Sequence, residues 1–196
     1  MKWSRAVHHV ELAAQGCAHV AGLASAIVPL TVSQLWVLGE LLGPPQDVES
    51  ITLALVVDLP VAEVSWLSEP HGSDHWLAMA RLSNSPIVRR WRSAHAPVWN
   101  HAIVGPLLVW DSDSGEQEGA LDALREGRGA AAGLPEPLPE QRRARLLDEL
   151  GVSFGALRAR TLAYEQRRWG KGSLEPAADA LWQASTGYLD VLAATS

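Results

Sequence analysis

Residues 91–101 read Trp-Arg-Ser-Ala-His-Ala-Pro-Val-Trp-Asn-His and place Trp91, Arg92, His95, Trp99, Asn100 and His101 within eleven positions. Arginine grips a phosphate or carboxylate at two points, histidine exchanges protons near neutral pH, and tryptophan stacks on planar groups. Arg92, His95, Trp99, Asn100 and His101 are therefore the candidate ligand-binding residues. The same composition suits a structural role, with both tryptophans plugging the core while Arg92 and Asn100 satisfy loop carbonyls, and the high average burial of tryptophan favours that role.

Other chemically suggestive groups have simpler explanations. His71 and His75 stand four apart around Asp74, the spacing of two imidazoles and a carboxylate on a helix, but Gly72-Ser73 marks a helix start at which Ser73 or Asp74 would cap. The run Asp111-Ser-Asp113-Ser-Gly115-Glu116 has its glycine at position five and no Glu at position twelve, so it reads as a turn after a strand rather than a calcium loop. His8-His9 needs only a polar helix face. Walker, dinucleotide-binding, nucleophile-elbow and zinc-protease signatures are absent from the sequence, and no metal site is expected.

The elements that must position these groups follow from spacing. Val7, Val10, Ala14, Cys17, Ala21, Ala24 and Val28 recur at three and four, predicting a helix that Pro29 ends near residue 28. Residues 31–38 and 51–57 read as strands, the second apolar throughout, and are expected side by side at the centre of a sheet. Residues 60–93 have apolar spacing closer to helical, with breaks at 70–72 and 85–86. A strand at 107–110 and a short helix at 117–125 follow. Residues 127–139, with alternating prolines, form an extended, semi-rigid linker. Beyond it, Leu147, Leu150, Phe154, Leu157, Thr161 and Tyr164 would line one helix, and Ala178, Leu181, Ser185, Tyr188 and Leu192 a second, joined at Gly170-Lys171-Gly172 with Ser173 as cap.

The 196 residues carry 16 Lys plus Arg against 22 Asp plus Glu, a net charge of −6, which repels phosphate backbones and anionic lipid. Nucleic acid is thus disfavoured as a partner. Residues 139–172 are the exception, with eight basic residues against four acidic, so the rest of the chain carries −10. That helix would meet an acidic partner, a nucleic acid or the acidic body of its own chain, and self-docking is the expected outcome. Cys17 is the sole cysteine, which excludes an intrachain disulfide and fits a cytoplasmic protein with a small buried thiol. The uncharged stretch 12–39 is broken by Gln15, His19, Pro29 and Gln34, so a membrane span is not expected.

The segment Leu35-Trp-Val-Leu-Gly-Glu-Leu-Leu-Gly43, with Asp47-Val-Glu49 and the run 51–57, resembles the core of the nucleotidyltransferase superfamily. There a strand ends in Gly-Ser, a short helix follows, and an acidic-hydrophobic-acidic triplet opens the next strand. The resemblance, which covers about residues 5–113, implies Gly39 at the ligand, with Asp47, Glu49 and, after the strand at 107–110, Asp111 as carboxylates for two Mg ions. Glu40 stands where that family has serine and puts negative charge where a phosphate would approach, which implies a fold kept after loss of the metal site. An active, Mg-dependent nucleotidyltransferase is the alternative. The opening Met1-Lys-Trp-Ser-Arg-Ala-Val-His-His-Val-Glu11, Leu55-Val-Val-Asp-Leu-Pro60 and residues 91–101 also look like an uncharacterised family of GC-rich bacteria, which implies no known activity and no cofactor.

The expected molecule is α+β: a small mixed sheet flanked by helices over residues 1–126, a linker at 127–139, and a C-terminal antiparallel helical hairpin at 140–196 packed on it. Its expected role is non-catalytic binding of a protein or small molecule. An oligomer working through the arginine-rich hairpin is a further reading.

Overall fold

The computed structural model describes residues 1–24, 27–83 and 86–196. Helix α1 (Trp3–Ala21) buries Ala6, Val7, Val10, Ala13, Ala14, Cys17 and Val20, one face at steps of three and four. It ends at Ala21 and not near residue 28. Gly22 follows, with its N–H bonded back to Ala18 and His19, and glycine is the weaker helix former that the proline-based expectation overlooked. Positions 25 and 26 of the longer helix expected from the sequence lie outside the described residues.

The two apolar runs are strands β1 (Val32–Leu38) and β2 (Ile51–Val57), antiparallel neighbours from Val32↔Val57 to Leu38↔Thr52. A 3-10 turn at Gly39–Leu42 leaves β1, with Gly39 at φ +70, a left-handed conformation that glycine adopts without strain. Helix α2 (Ser73–Met79) starts after Gly72, which takes the N-cap position at φ +86, and neither Ser73 nor Asp74 caps it. Strand β3 (Ile87–Ser93) then runs parallel to β2 at the sheet edge. Val88 and Trp91, read as helical from their spacing, belong to this strand. Its arginines obscure the alternation, because the side chains of Arg90 and Arg92 cross to a second layer where Trp66 receives them.

Strand β4 (Leu107–Asp111) pairs with the other edge of β1, and β5 (Gly115–Glu116) with β4, giving the order β3-β2-β1-β4-β5. Helix α3 (Glu118–Arg125) packs beside α1. Strand alternation divides the core in two. Leu35, Val37, Leu53, Leu55 and Val57 face α1 to α3, whereas Trp36, Leu38, Ala54 and Val56 face Trp66, Val98, Ile103 and Val191 on the opposite side.

The stretch 127–139 is not a free spacer. It contains α4 (Gly129–Ala132), and Gly133 lies so close to Gly105 that a Cβ there would come within 2.4 Å of the Gly105 carbonyl oxygen. The Leu134 N–H donates to Pro106 O at 2.9 Å. Helices α5 (Pro139–Arg168) and α6 (Glu175–Ala193) form the packed C-terminal pair. The apolar stripe expected on α5 packs in part: Leu150 joins the hairpin-side core and Phe154 meets Tyr188 of α6 at 5.9 Å, whereas Leu147 is exposed and the fully buried residues are Glu149 and Ser153. On α6 the buried positions are Ala184, Gly187 and Val191. Among the described residues no helix is long and apolar enough to cross a membrane.

Candidate functional site

The end of β3 delivers Arg92 beneath the hairpin, 3% exposed. Its Nε donates to Val98 O at 3.1 Å and one Nη to Pro97 O, so the guanidinium folds residues 94–98 around itself. The same Nη group pairs with Glu149 from α5. Asn100 completes the loop: its Oδ1 accepts from the backbone N–H groups of Ala102 and Ile103, and its Nδ2 donates to Glu149 Oε2 at 2.8 Å. Arg145, one helical turn before Glu149, donates to Glu149 Oε1 at 2.9 Å.

His101 bridges the two helices. Its Nδ1 stands 3.6 Å from Glu149 Oε2, an ion-pair distance too long for a hydrogen bond, and its Nε2 lies 3.1 Å from Asp190 Oδ2 on α6. Trp66 sits at the centre. Its ring meets His101 edge-on at 5.3 Å, lies under the guanidinium groups of Arg90 and Arg92 at 5.7 and 5.6 Å, and donates Nε1–H to Asp190 at 2.6 Å. Gly187 makes this approach feasible, since a Cβ there would come 2.0 Å from the Trp66 carbonyl oxygen. Leu67, beside Trp66, holds φ +61, a strained conformation for a residue with a side chain.

The charges explain the arrangement. Burial works against ionisation of Glu149, but the His101 interaction and the guanidinium groups of Arg92 and Arg145 outweigh it and hold the carboxyl down at about 2. Burial lowers the pKa of Arg92, and Glu149 opposes that fall. The pKa of His101 is raised, chiefly by Glu149, against its burial and with help from Asp190. One carboxylate thus compensates the guanidinium groups of Arg92 and Arg145, and both of its oxygens are engaged in holding α5 to the sheet.

Arg92, Asn100 and His101 from the sequence-predicted set come together here. Trp91 lies on the opposite face, buried edge-on against Trp76 at 6.0 Å, while half-buried Trp99 packs with the hairpin-side core. His95 turns outward to Asp58, 3.0 Å away. Gly39, Asp47 and Glu49 lie at the other end of the sheet. Asp47 and Glu49 are exposed in the loop before β2, where the Glu40 carboxylate accepts the Glu49 N–H at 3.2 Å. Asp111 pairs across from Gln34 near the start of β1, whereas the acidic loop adjoins its end at Leu38, some four residues or about 13 Å of strand away. Asp111 Oδ2 accepts from Gln34 Nε2, and its Oδ1 accepts from the N–H groups of Asp113 and Ser114, which tightens the turn into β5. The structure therefore does not bring the three carboxylates together. Among the described residues no group of three or more His, Cys, Asp or Glu could hold a metal ion.

The sequence reading missed Trp66, Arg145, Glu149 and Asp190. Glu149 is one of the four acidic residues of 139–172, and its one available signal is Arg145 four residues earlier, a spacing as common on exposed helices.

A sheet end that uses its guanidinium, amide and imidazole to anchor a helical pair defines a mixed α+β protein with a docked C-terminal arm. The chain belongs to the family described as Domain of unknown function (DUF7711), matched over residues 1–196. No curated protein and no solved structure matches it.

Proposed function

We propose that this protein is a non-catalytic interaction module, a nucleotidyltransferase-like body that presents the far end of its C-terminal hairpin to an acidic protein surface. The observation that carries this reading is the 81% exposure of Trp169 at the turn between the helices, with Arg167, Arg168 and Lys171 around it and Leu162 exposed farther along α5. Tryptophan and arginine dominate binding energy at protein interfaces, and exposed clusters of large apolar groups mark such sites. Among the described residues, Arg143, Arg158, Arg160, Arg167, Arg168 and Lys171 form no ion pair with a carboxylate. Self-docking of these arginines on the acidic body does not account for them. The acid that joins hairpin to body comes instead from the hairpin, at Glu149.

A second copy of the chain supplies the required surface, because everything outside residues 139–172 carries −10. Sedimentation velocity over a wide concentration range is expected to reveal an oligomer that weakens with salt and with Trp169→Ser. A monomer at all concentrations would remove the second copy as the occupant. The separation of Asp111 from Asp47 and Glu49 supports the non-catalytic half of the reading, in which Mg has no assigned place. Incubation with nucleoside triphosphates and Mg is expected to yield no transfer; transfer that disappears in Asp47→Ala would overturn that half.

A further inference from the structure

A cleft of about 410 Å³ opens between α1 and the segment after α2, away from both the Glu149 cluster and the hairpin. Its volume is in the range of small-molecule sites. His9, Gln15 and His19 line one wall at helical steps along α1, and Arg81 lines the other. Leu12, Met79, Leu82 and Ile87 supply the apolar surface between them. At Gly16 a Cβ would fall 2.4 Å from the Ala80 carbonyl oxygen, so the two segments meet backbone to backbone and the floor is closed without a side chain.

Two features point to an anion with an apolar body. Among the described residues no Asp or Glu lines the cleft, although the chain as a whole is acidic. Arg81 makes no ion pair among the described residues. Its backbone, at φ +59, is the left-handed residue of the cap that ends α2, with the Arg81 N–H on Ala78 O at 3.1 Å and the Leu82 N–H on Leu77 O at 2.8 Å, so the position of Arg81 at the cleft is fixed by the helix end. A single guanidinium grips a carboxylate in two parallel hydrogen bonds, which suits one arginine at the rim of an otherwise largely apolar cleft.

We propose that this cleft binds a small carboxylic acid, its carboxylate on Arg81 and its hydrocarbon part against Leu12, Met79 and Ile87. The probes are 4-phenylbutyrate, the matching primary amide and inorganic phosphate, titrated into the full chain by calorimetry and by amide-resolved NMR. The expected result is saturable binding of 4-phenylbutyrate, with NMR shifts centred on residues 9–19 and 79–82. Binding of the amide, and of 4-phenylbutyrate to Arg81→Gln, should be weaker by about tenfold or more, the difference of one charge-assisted pair. Leu12→Trp, a change at a half-exposed position that fills the cleft, should abolish binding with the melting temperature unchanged. Equal affinity for the amide, undiminished binding by Arg81→Gln, shifts centred elsewhere, or no saturable binding of 4-phenylbutyrate would each overturn the proposal. Phosphate binding as tightly as 4-phenylbutyrate would overturn the requirement for an apolar body.

Discussion

The hairpin carries charge in opposite ways at its two ends. Where α5 and α6 meet the sheet, a glutamate enters a dry pocket and neutralises guanidinium groups from β3 and from its own helix. Toward the turn between the helices, arginines stand exposed beside Trp169 and pair with no carboxylate among the described residues. Residue type is shared between the regions and burial is not. A net charge of +4 over residues 139–172 therefore says little about how this helix docks, because the docking contact is its one buried acid.

The sharpest break in this comparison is Glu149→Gln. Removing one partner leaves Arg92 buried and uncompensated, with an expected loss of about 3–5 kcal/mol in urea unfolding. A double change of Arg92→Met with Glu149→Leu should recover much of that loss, since apolar groups of similar size replace buried pairs at little cost. If Glu149→Gln were as mild as a surface change, the root of the hairpin would not be a buried lock. Next comes Gly187→Ala, which forces α6 away from the Trp66 carbonyl and should cost about 1–3 kcal/mol. The contrasting change, Gly155→Ala, meets nothing within 4 Å and should stabilise the helix by about 0.5–1 kcal/mol.

Titration sharpens the same contrast. Glu149 is held at about 2 against an ordinary 4.5, so its contribution is present above pH 4.5 and disappears as pH falls through about 2. His101 is raised above its ordinary 6.5, so its contribution is complete below pH 6.5 and fades as pH rises through the folded value. Stability measured across pH should therefore be highest between these limits, and His101→Gln should flatten the decline on the alkaline side. The smallest effect belongs to the tip, where Arg158→Gln should change unfolding free energy by no more than about 0.5 kcal/mol. A larger change would mean that this arginine has a partner within the chain.

The central strands were legible because their signal is local. Residues 51–57 are apolar without interruption and match β2 in full, and residues 31–38 differ from β1 by one position. The hairpin was legible for the same reason, from two helical patterns around Gly170 and Gly172. Strand β3 was not, because Arg89, Arg90 and Arg92 make it look polar until Trp66 is seen to receive Arg90 and Arg92, Glu149 to pair with Arg92, and Leu82 O to accept from Arg89. The site was legible by half. Arg92, Asn100 and His101 are close in sequence, but Glu149 and Asp190 lie 57 residues beyond Arg92 and 89 beyond His101, where no spacing rule connects them.

That distance has a consequence for how the chain matures. All five strands end by Glu116, so during synthesis the sheet is complete while Glu149 and Asp190 have not yet left the ribosome. Arg92 must then wait, hydrated, on an uncovered surface that also bears Trp36 and Trp66. Nascent chains halted before α5 should present a sticky intermediate to chaperones, and arrival of the final fifty residues should release it.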